Sequence, residues 1–462
     1  MEDSHLQLSE WRLSRRQALK AGAIATVGLA SPWLADVPGP APALASSGPA
    51  ASSSTGTWKA ITWESSEEMK KWRLHIGHFF KQYYPKWKWQ VDYGIDWLPY
   101  WTKLQTIIAG GASPDMCWMH DTRVESFASR GLLEPLDPYL QRDRPIGWAE
   151  KFYPSQVNSF QYQGNQYGFP YDWAAGGLYV NLDLLKRAKV DIPTEDWTYD
   201  DLLEAAKRIK AAAKSPDRTF GVSLPTDSAN SYIIVRSFGG EFFSGNPLKA
   251  HFTNPGTVKA YQYLYDAMWK HKVMPNPAVF KAMGITGDIT AFFASGNVGM
   301  FWSLNDEAFV MNDLIGGKFR WTVAPTPKGV HKRYQFVGGS AFSIPKGSPH
   351  PDLTYQVIKY VLSTPQNLPI TGRMGSMFVS RKDYWKYGVP PANQVDPKRY
   401  KHTFYDLGRR DGTHPLYFPN YAQWDASVYA RYMGNLWANQ QHDVAAVLQQ
   451  VQAATEPLLQ SS

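Results

Sequence analysis

From Trp58 onward the chain alternates short apolar runs with longer amphipathic stretches, and this alternation most narrows the folds open to it. Lys59–Trp63 reads as a strand. Ser65-Ser66 can cap a helix running from about Glu67 to Tyr84, and Trp87–Tyr93 reads as the next strand. Tyr100–Ala109 is helical and stops at Gly110-Gly111. Asp115–Met119 is a third strand, and Asp121 or Thr122 caps the helix beyond it. The pattern recurs later. Thr198 with Asp201 forms a capping-box signature for a helix to about Ala213, and Val298–Trp302 reads as a strand after the Gly296-Asn297 turn. A strand near Gln335–Ile344 precedes a helix over Pro351–Ser363, and Ala422–Leu459 is mostly helical. Strands alternating with helices give an α/β class, with mostly parallel sheets flanked by helices. The length fits two such lobes better than one. Ligands in such sheets sit beyond the carboxyl ends of the strands, which places Trp63-Glu64 and Trp118-Met119-His120-Asp121 on one rim.

The first 45 residues read as an export signal. LSRRQALK (residues 13–20) resembles a twin-arginine motif, with Ala18 where phenylalanine is usual. A weakly apolar run from Ala21 to Leu34 is too short to span a membrane, and Ala43-Leu44-Ala45 fits an A-x-A cleavage site. Residues 46–57 form a Ser/Gly/Ala-rich linker. The only cysteine, Cys117, lies in an apolar run, so no disulfide forms within the chain and the thiol reads as buried. The formal net charge is +8, without the basic block or stripe that nucleic-acid binding needs. The louder compositional signal is 19 Trp and 26 Tyr, which suit sugar faces or a large core. In YGFPYDWAAGGLYVN (Tyr167–Asn181) aromatic faces, the carboxylate of Asp172 and a glycine-rich backbone occur together.

Several segments, in order, resemble the extracellular solute-binding proteins of sugar ABC transporters, the maltose-binding-protein-like family. They are KLQTIIAGGASPDMCWMHDTRVESFASRGLLEPLDPYL (Lys103–Leu140), YGFPYDWAAGGLYVNLDLL (Tyr167–Leu185), DWTYDDLLEAAKRI, AFFASGNVGMFW and GGSAFSIPKGSPHPDLTYQVIKYVLSTPQN (Gly338–Asn367). The resemblance implies a two-lobe periplasmic-binding-protein fold joined by hinge crossovers. Residues 58–170 with about 336–378 would form the first lobe, and 171–335 with about 379–462 the second. It implies capture of a sugar or oligosaccharide in the cleft and delivery to membrane permease subunits. The protein would be periplasmic or extracellular, exported by the twin-arginine machinery, monomeric and without cofactor or metal.

The resemblance also places Pro170–Trp173 at a hinge over the cleft, with Tyr171 and Trp173 stacking on a sugar and Asp172 accepting its hydroxyls. Other cleft candidates are Trp63, Glu64, Trp118, His120, Asp121, Trp302, Gly339, Ser340 and Arg373. Gly338-Gly339-Ser340 resembles a crossover where backbone N–H groups face a ligand. Tyr421 and Trp424 match a segment that carries sugar-stacking aromatics in maltose-binding relatives. Most of these residue types serve equally well for packing or capping. Two alternatives stay open. Glu64, Asp121 and Asp172 could meet in the cleft as the carboxylates of a glycoside hydrolase or lyase, although no G-x-S-x-G, H-E-x-x-H or C-x-x-C occurs. The positive charge would suit a phosphorylated or acidic ligand such as a glycerol phosphate, with Arg373 as its partner.

Overall fold

Trp58, Ala60 and Ile61 point a strand's apolar side chains into a core, and that strand, β1 (Thr57–Ile61), nucleates the first sheet. A computed structural model describes residues 54–460 except 65, 286–288, 364–389 and 391–394. The export signal, most of the linker, Arg373 and the expected return between lobes near 378 lie outside the described residues. Helix α1 (Ser66–Tyr83) leads to β2 (Lys88–Asp92), and α2 (Trp97–Ala109) leads to β3 (Met116–His120). Both β2 and β3 run parallel to β1, with Thr57 opposite Lys88 and Ala60 opposite Met116. Helix α2 ends where Gly111 takes a left-handed φ of +72°, which glycine adopts without steric penalty. Helix α3 (Asp121–Ala128) starts at the end of β3, and its cap is His120, which accepts the Thr122 N–H, rather than Asp121 or Thr122.

After two further strands the chain changes sheets. β4 (Phe169–Pro170) stays with the first sheet, and β5 (Ala174–Asn181) opens the second. The second sheet gains β6 (Phe220–Ser223), β7 (Val298–Leu304), β8 (Trp321–Ala324) and β9 (Gln335–Gly338). After Gly339, β10 (Ser340–Ser343) is back in the first sheet, and β11 (Gly412–Thr413) closes the second. The strand orders are β2-β1-β3-β10-β4 and β11-β9-β5-β7-β6, with β8 also on β5. The expected single strand from Gln335 to Ile344 is therefore two strands in two sheets.

The sheets are more mixed than a mostly parallel expectation allows. β4 and β10 are antiparallel to their neighbours, and β5 is antiparallel to β7, β8 and β9. The reason is topological: a strand arriving from the other lobe enters the sheet from the end where the resident βαβ strands finish.

Helix α4 (Tyr199–Ala211) carries the full capping box, with Thr198 and Asp201 each accepting the other's backbone N–H. Helices α5 (Ser228–Ser237), α6 (Pro277–Ala282), α7 (Pro351–Ser363), α8 (Tyr421–Trp424) and α9 (Ala430–Trp437) matter below. The tail is helical in pieces, with a widened turn at Asp425–Tyr429 between α8 and α9. Along β5, Leu178 and Val180 enter one core while Ala175 and Tyr179 enter the other, the period-two alternation of a strand buried on both faces. Many tryptophans are core: Trp58, Trp72, Trp118, Trp173 and Trp424 are among the largest fully buried side chains. No helix among the described residues is long and apolar enough to cross a membrane.

Candidate functional site

Two crossovers run side by side between the sheets: Tyr171-Asp172-Trp173 from β4 to β5, and Gly339 from β9 to β10. Backbone bonds join them to each other and to β3. The Tyr171 N–H donates to the Ser340 carbonyl at 3.0 Å, and the Asp121 N–H to the Gly339 carbonyl at 3.2 Å. Two carboxylates complete the clamp. Asp121 Oδ2 accepts the Gly339 N–H at 3.2 Å, and Asp172 Oδ1 accepts the Ser340 N–H. The glycine pair makes this approach possible: a Cβ on Gly338 would lie 2.6 Å from Asp121 Oδ2, and one on Gly339 2.5 Å from Asp172 Oδ1. On the second-lobe side Asn305, fully buried just beyond β7, fixes the strand entry. Its Oδ1 accepts the Ala175 N–H at 2.6 Å and its Nδ2 donates to the Trp173 carbonyl at 3.0 Å.

This geometry corrects part of the expected site. Tyr171 is 2% exposed: its ring stacks on Phe342 at 4.7 Å and its hydroxyl donates to Glu64 Oε1 at 3.1 Å. Trp173 is 1% exposed, packs on Tyr153 and Tyr405, and donates its indole N–H to the Phe404 carbonyl at 3.3 Å. The crossover thus drives one ring into each lobe's core, and neither presents a face to a ligand. Trp118 lies between Trp72 and Phe342 in the first core. Trp424 packs on Phe243 and donates to Thr455 Oγ1 at 2.8 Å. The N–H groups of Gly339 and Ser340 are spent on the two carboxylates rather than on a ligand. Glu64, Asp121 and Asp172 likewise accept bonds from the protein, as buried or enclosed carboxylates must.

Asp172 keeps part of its surface accessible yet is enclosed by the crossovers. Desolvation pushes its pKa up to about 7; the Ser340 N–H and His120 oppose the rise, while Asp306 and Asp121 add to it. The native state then holds this proton to higher pH than the unfolded chain does. The resulting stability is complete below the ordinary value of 3.8 and is lost as pH rises through about 7. The denaturant midpoint should fall with rising pH across that window, and Asp172→Asn, which keeps the acceptor oxygen, should flatten the fall. An equal slope in wild type and variant would contradict the assignment.

A further cluster forms where the carboxyl ends of the first sheet meet α8, whose Tyr421 is itself 3% exposed. Trp63, partly buried, sits edge-on to Trp97 at 5.1 Å, and Trp97 is 37% exposed. The His120 ring stands perpendicular to Trp97 at 5.1 Å, and its Nδ1 lies 2.9 Å from both Thr122 Oγ1 and Asp121 Oδ1. Arg123, in the first turn of α3, places its guanidinium over Trp101 at 5.7 Å, and its Nε has no hydrogen-bond partner among the described residues. Burial lowers the Arg123 pKa, while Asp425 and Tyr421 of the other lobe pull it back up. There Asp425 Oδ1 accepts from Ser228 Oγ at 2.5 Å, and Ser228 Oγ lies 3.0 Å from the Tyr421 hydroxyl. The structure thus gathers Trp63, His120 and Tyr421 from the sequence candidates. It adds Trp97, Arg123, Ser228 and Asp425. Arg123 had a signal, its place in the first turn beyond a strand's carboxyl end (HDTRV); Ser228 and Asp425 had none.

Trp302, at the carboxyl end of β7, is 5% exposed, and its ring fills the space that a side chain on Gly176 would need. It also lines a second-lobe cavity of about 600 Å³ together with Leu224, Met268, Met274, Phe280 and Trp437.

The sequence model for bacterial extracellular solute-binding proteins matches residues 51–368. The maltotriose-binding protein of Pyrococcus abyssi is 24% identical over 169 residues, 36% of this chain and 34% of that one. The arabinooligosaccharide-binding protein of Bacillus subtilis is 25% identical over 258 residues, 55% of this chain and 57% of that one. The chain thus spans about half the length, or less, of these curated relatives. An ABC substrate-binding protein of Listeria monocytogenes, solved with cycloalternan, superposes with a TM-score of 0.75 at 19% identity, covering 88% of this chain and 99% of that one. That likeness is one of fold, the two-lobe architecture of periplasmic binding proteins.

Proposed function

This chain belongs to the bacterial extracellular solute-binding protein family, and from that premise we propose that it captures a sugar or oligosaccharide between its lobes and hands it to the permease subunits of an ABC importer. The observation that carries the reading is the cluster shared by both lobes: Trp63, Trp97, His120 and Arg123 on one side and Asp425 on the other, with Ser228 and Tyr421, each 3% exposed, buried behind Asp425 as its support. Partly exposed tryptophans offer apolar faces for a pyranose, and Arg123, His120 and Asp425 offer donors and acceptors for its hydroxyls. The work is binding, with no covalent step, since the carboxylates a glycosidase would use are engaged by Tyr171 and by the crossover backbone. The family is extracellular or periplasmic. Export by the twin-arginine route, through Arg15 and Arg16, and a monomeric state complete the proposal.

A ligand that touches both rims favours the closed arrangement by its differential affinity, so binding and closure are one equilibrium. A neutral ligand suits the rim better than an anionic one, because aromatic rings outnumber cations there and Arg123 already feels the charge of Asp425. Calorimetric titration of maltose, maltotriose and arabino-oligosaccharides at low and high salt, with solution scattering, tests this. A cognate sugar should bind with little salt dependence and reduce the radius of gyration. Trp97→Ala and Arg123→Gln should each weaken it about tenfold, or about 1.4 kcal/mol. Binding without compaction, affinity confined to phosphorylated ligands, or full affinity in both variants would each overturn the reading.

A further inference from the structure

Gln156 is fully buried, yet neither its amide nitrogen nor its amide oxygen has a hydrogen-bond partner among the described residues. A buried amide in this state is costly on its donor side and on its acceptor side. Native proteins leave few such groups, and one that persists acts as a store of strain.

The position of Gln156 makes that strain specific to the hinge. It lies in the short helix Pro154–Asn158, and its Oε1 would be 3.0 Å from a Cβ on Gly339, the residue through which the chain passes from β9 to β10. The same point is 2.5 Å from Asp172 Oδ1, in the other crossover. The amide therefore sits against both crossovers, where the lobes have to turn about each other.

The segment that carries Gln156 is gripped by both lobes. Gln166 Nε2 donates to the Val157 carbonyl at 2.8 Å and the Tyr167 N–H to the Phe160 carbonyl at 2.9 Å, which ties the segment to the first lobe. At its other end the Tyr153 ring enters a core of the second lobe and packs on Trp173 at 4.7 Å. Rotation of one lobe against the other thus shifts Gln156 relative to Gly339 and Asp172. Here the rims are close: Arg123 feels the charge of Asp425, and α3 lies beside α8. The amide is unpaired in this rim-to-rim arrangement, and parting the rims opens the crossovers around it to new partners or to water.

We infer that Gln156 opposes closure: its unpaired amide destabilises the arrangement with the rims together, holds the empty protein open and so sets how far a ligand has to shift the balance. The inference rests on the closure described for the saccharide reading, with Gln156 as a positioning residue that touches no sugar. Gln156→Met removes the amide at nearly constant length, and Gln156→Glu puts a second carboxylate beside Asp172. Wild type and both variants are titrated calorimetrically with maltose, maltotriose and arabino-oligosaccharides, and their radii of gyration are measured by solution scattering with and without each sugar. A closed population raised tenfold while still a minority tightens the apparent affinity tenfold. Gln156→Met should therefore bind the accepted sugar about tenfold tighter than wild type, and Gln156→Glu about tenfold weaker, with one liganded radius for all three. A residue that only supported the fold would weaken binding in both variants, so the opposite signs are what the inference requires. Equal affinity in Gln156→Met and wild type overturns the inference and leaves the saccharide reading intact. Weaker binding by Gln156→Met overturns it as well, since the amide would then serve the closed state. Binding by wild type without compaction overturns both. Where wild type binds none of these sugars, the saccharide reading falls and the empty proteins decide: a smaller radius for Gln156→Met than for Gln156→Glu supports the inference, and equal radii overturn it.

Discussion

Asn305→Leu is expected to destabilise the protein by about 4 kcal/mol, with a lowered denaturant midpoint and a nearly unchanged slope. The substitution keeps the number and branching of side-chain heavy atoms and removes no bulk, so the loss does not come from a cavity. It comes from two backbone groups. Ala175 N–H and the Trp173 carbonyl are both satisfied by the Asn305 amide, at 2.6 and 3.0 Å. Each buried polar group left without a partner costs about 1–3 kcal/mol. The surroundings offer no water-facing escape, since Asn305, Trp173 and Ala175 are all within 1% of complete burial. A drop below about 1 kcal/mol would mean that the strand entry rearranges to find other partners and that Asn305 does not fix it.

Gly339→Ala is expected to cost about 3 kcal/mol. The added methyl would sit 2.5 Å from Asp172 Oδ1, 2.9 Å from the Asp172 carbonyl oxygen and 3.0 Å from Gln156 Oε1. Inserting a methyl into packed structure costs about 1–3 kcal/mol. The Asp172 carboxyl must also swing away from the Ser340 N–H, which forfeits a hydrogen bond worth about 0.5–1.5 kcal/mol. Gly338→Ala meets Asp121 Oδ2 in the same manner and should behave alike. Gly434→Ala is the control: it lies within α9 with nothing inside 4 Å of the new methyl. Helix propensity there favours alanine by about 0.5–1 kcal/mol. Equilibrium denaturation of the three variants decides the matter, and a Gly339→Ala midpoint equal to wild type would show that the carboxylate clamp is not what holds the crossovers.

The elements of the first lobe were readable because each carried its own punctuation. The Gly110-Gly111 stop and the alternation of strands with amphipathic helices report local geometry, and the structure repeats them closely. In the second lobe the Thr198–Asp201 box did the same. What a residue's chemistry does not report is which surface it lies on. YGFPYDW reads as a cleft because aromatic faces and a carboxylate suit a sugar; the same rings suit a core, and Tyr171 and Trp173 each fill one. Asp172 was expected to accept a sugar's hydroxyls; its partner in the structure is a backbone N–H a hundred and more residues away, which no local pattern announces. The split of Gln335–Ile344 into two strands was equally hidden, since a strand that changes sheets keeps its alternation through the change. Arg123, Ser228 and Asp425 meet only when α3 and the α5–α8 region come together across the lobes, so their significance is a property of the tertiary structure.

The passage from β9 to β10 through Gly339 alone has a consequence for the entropy of capture. A hinge made of a long loop would let the two lobes wander, and a ligand would have to freeze that wandering at the expense of affinity. Here the chain has no slack: one residue separates paired strands, and the amides of Gly339 and Ser340 are each held by a carboxylate. Any opening has to be a rotation about a short pivot whose translations are already removed. In the proposed closure, the empty protein would be confined to a narrow arc of shapes, so much of the ordering that binding demands would have been done by folding.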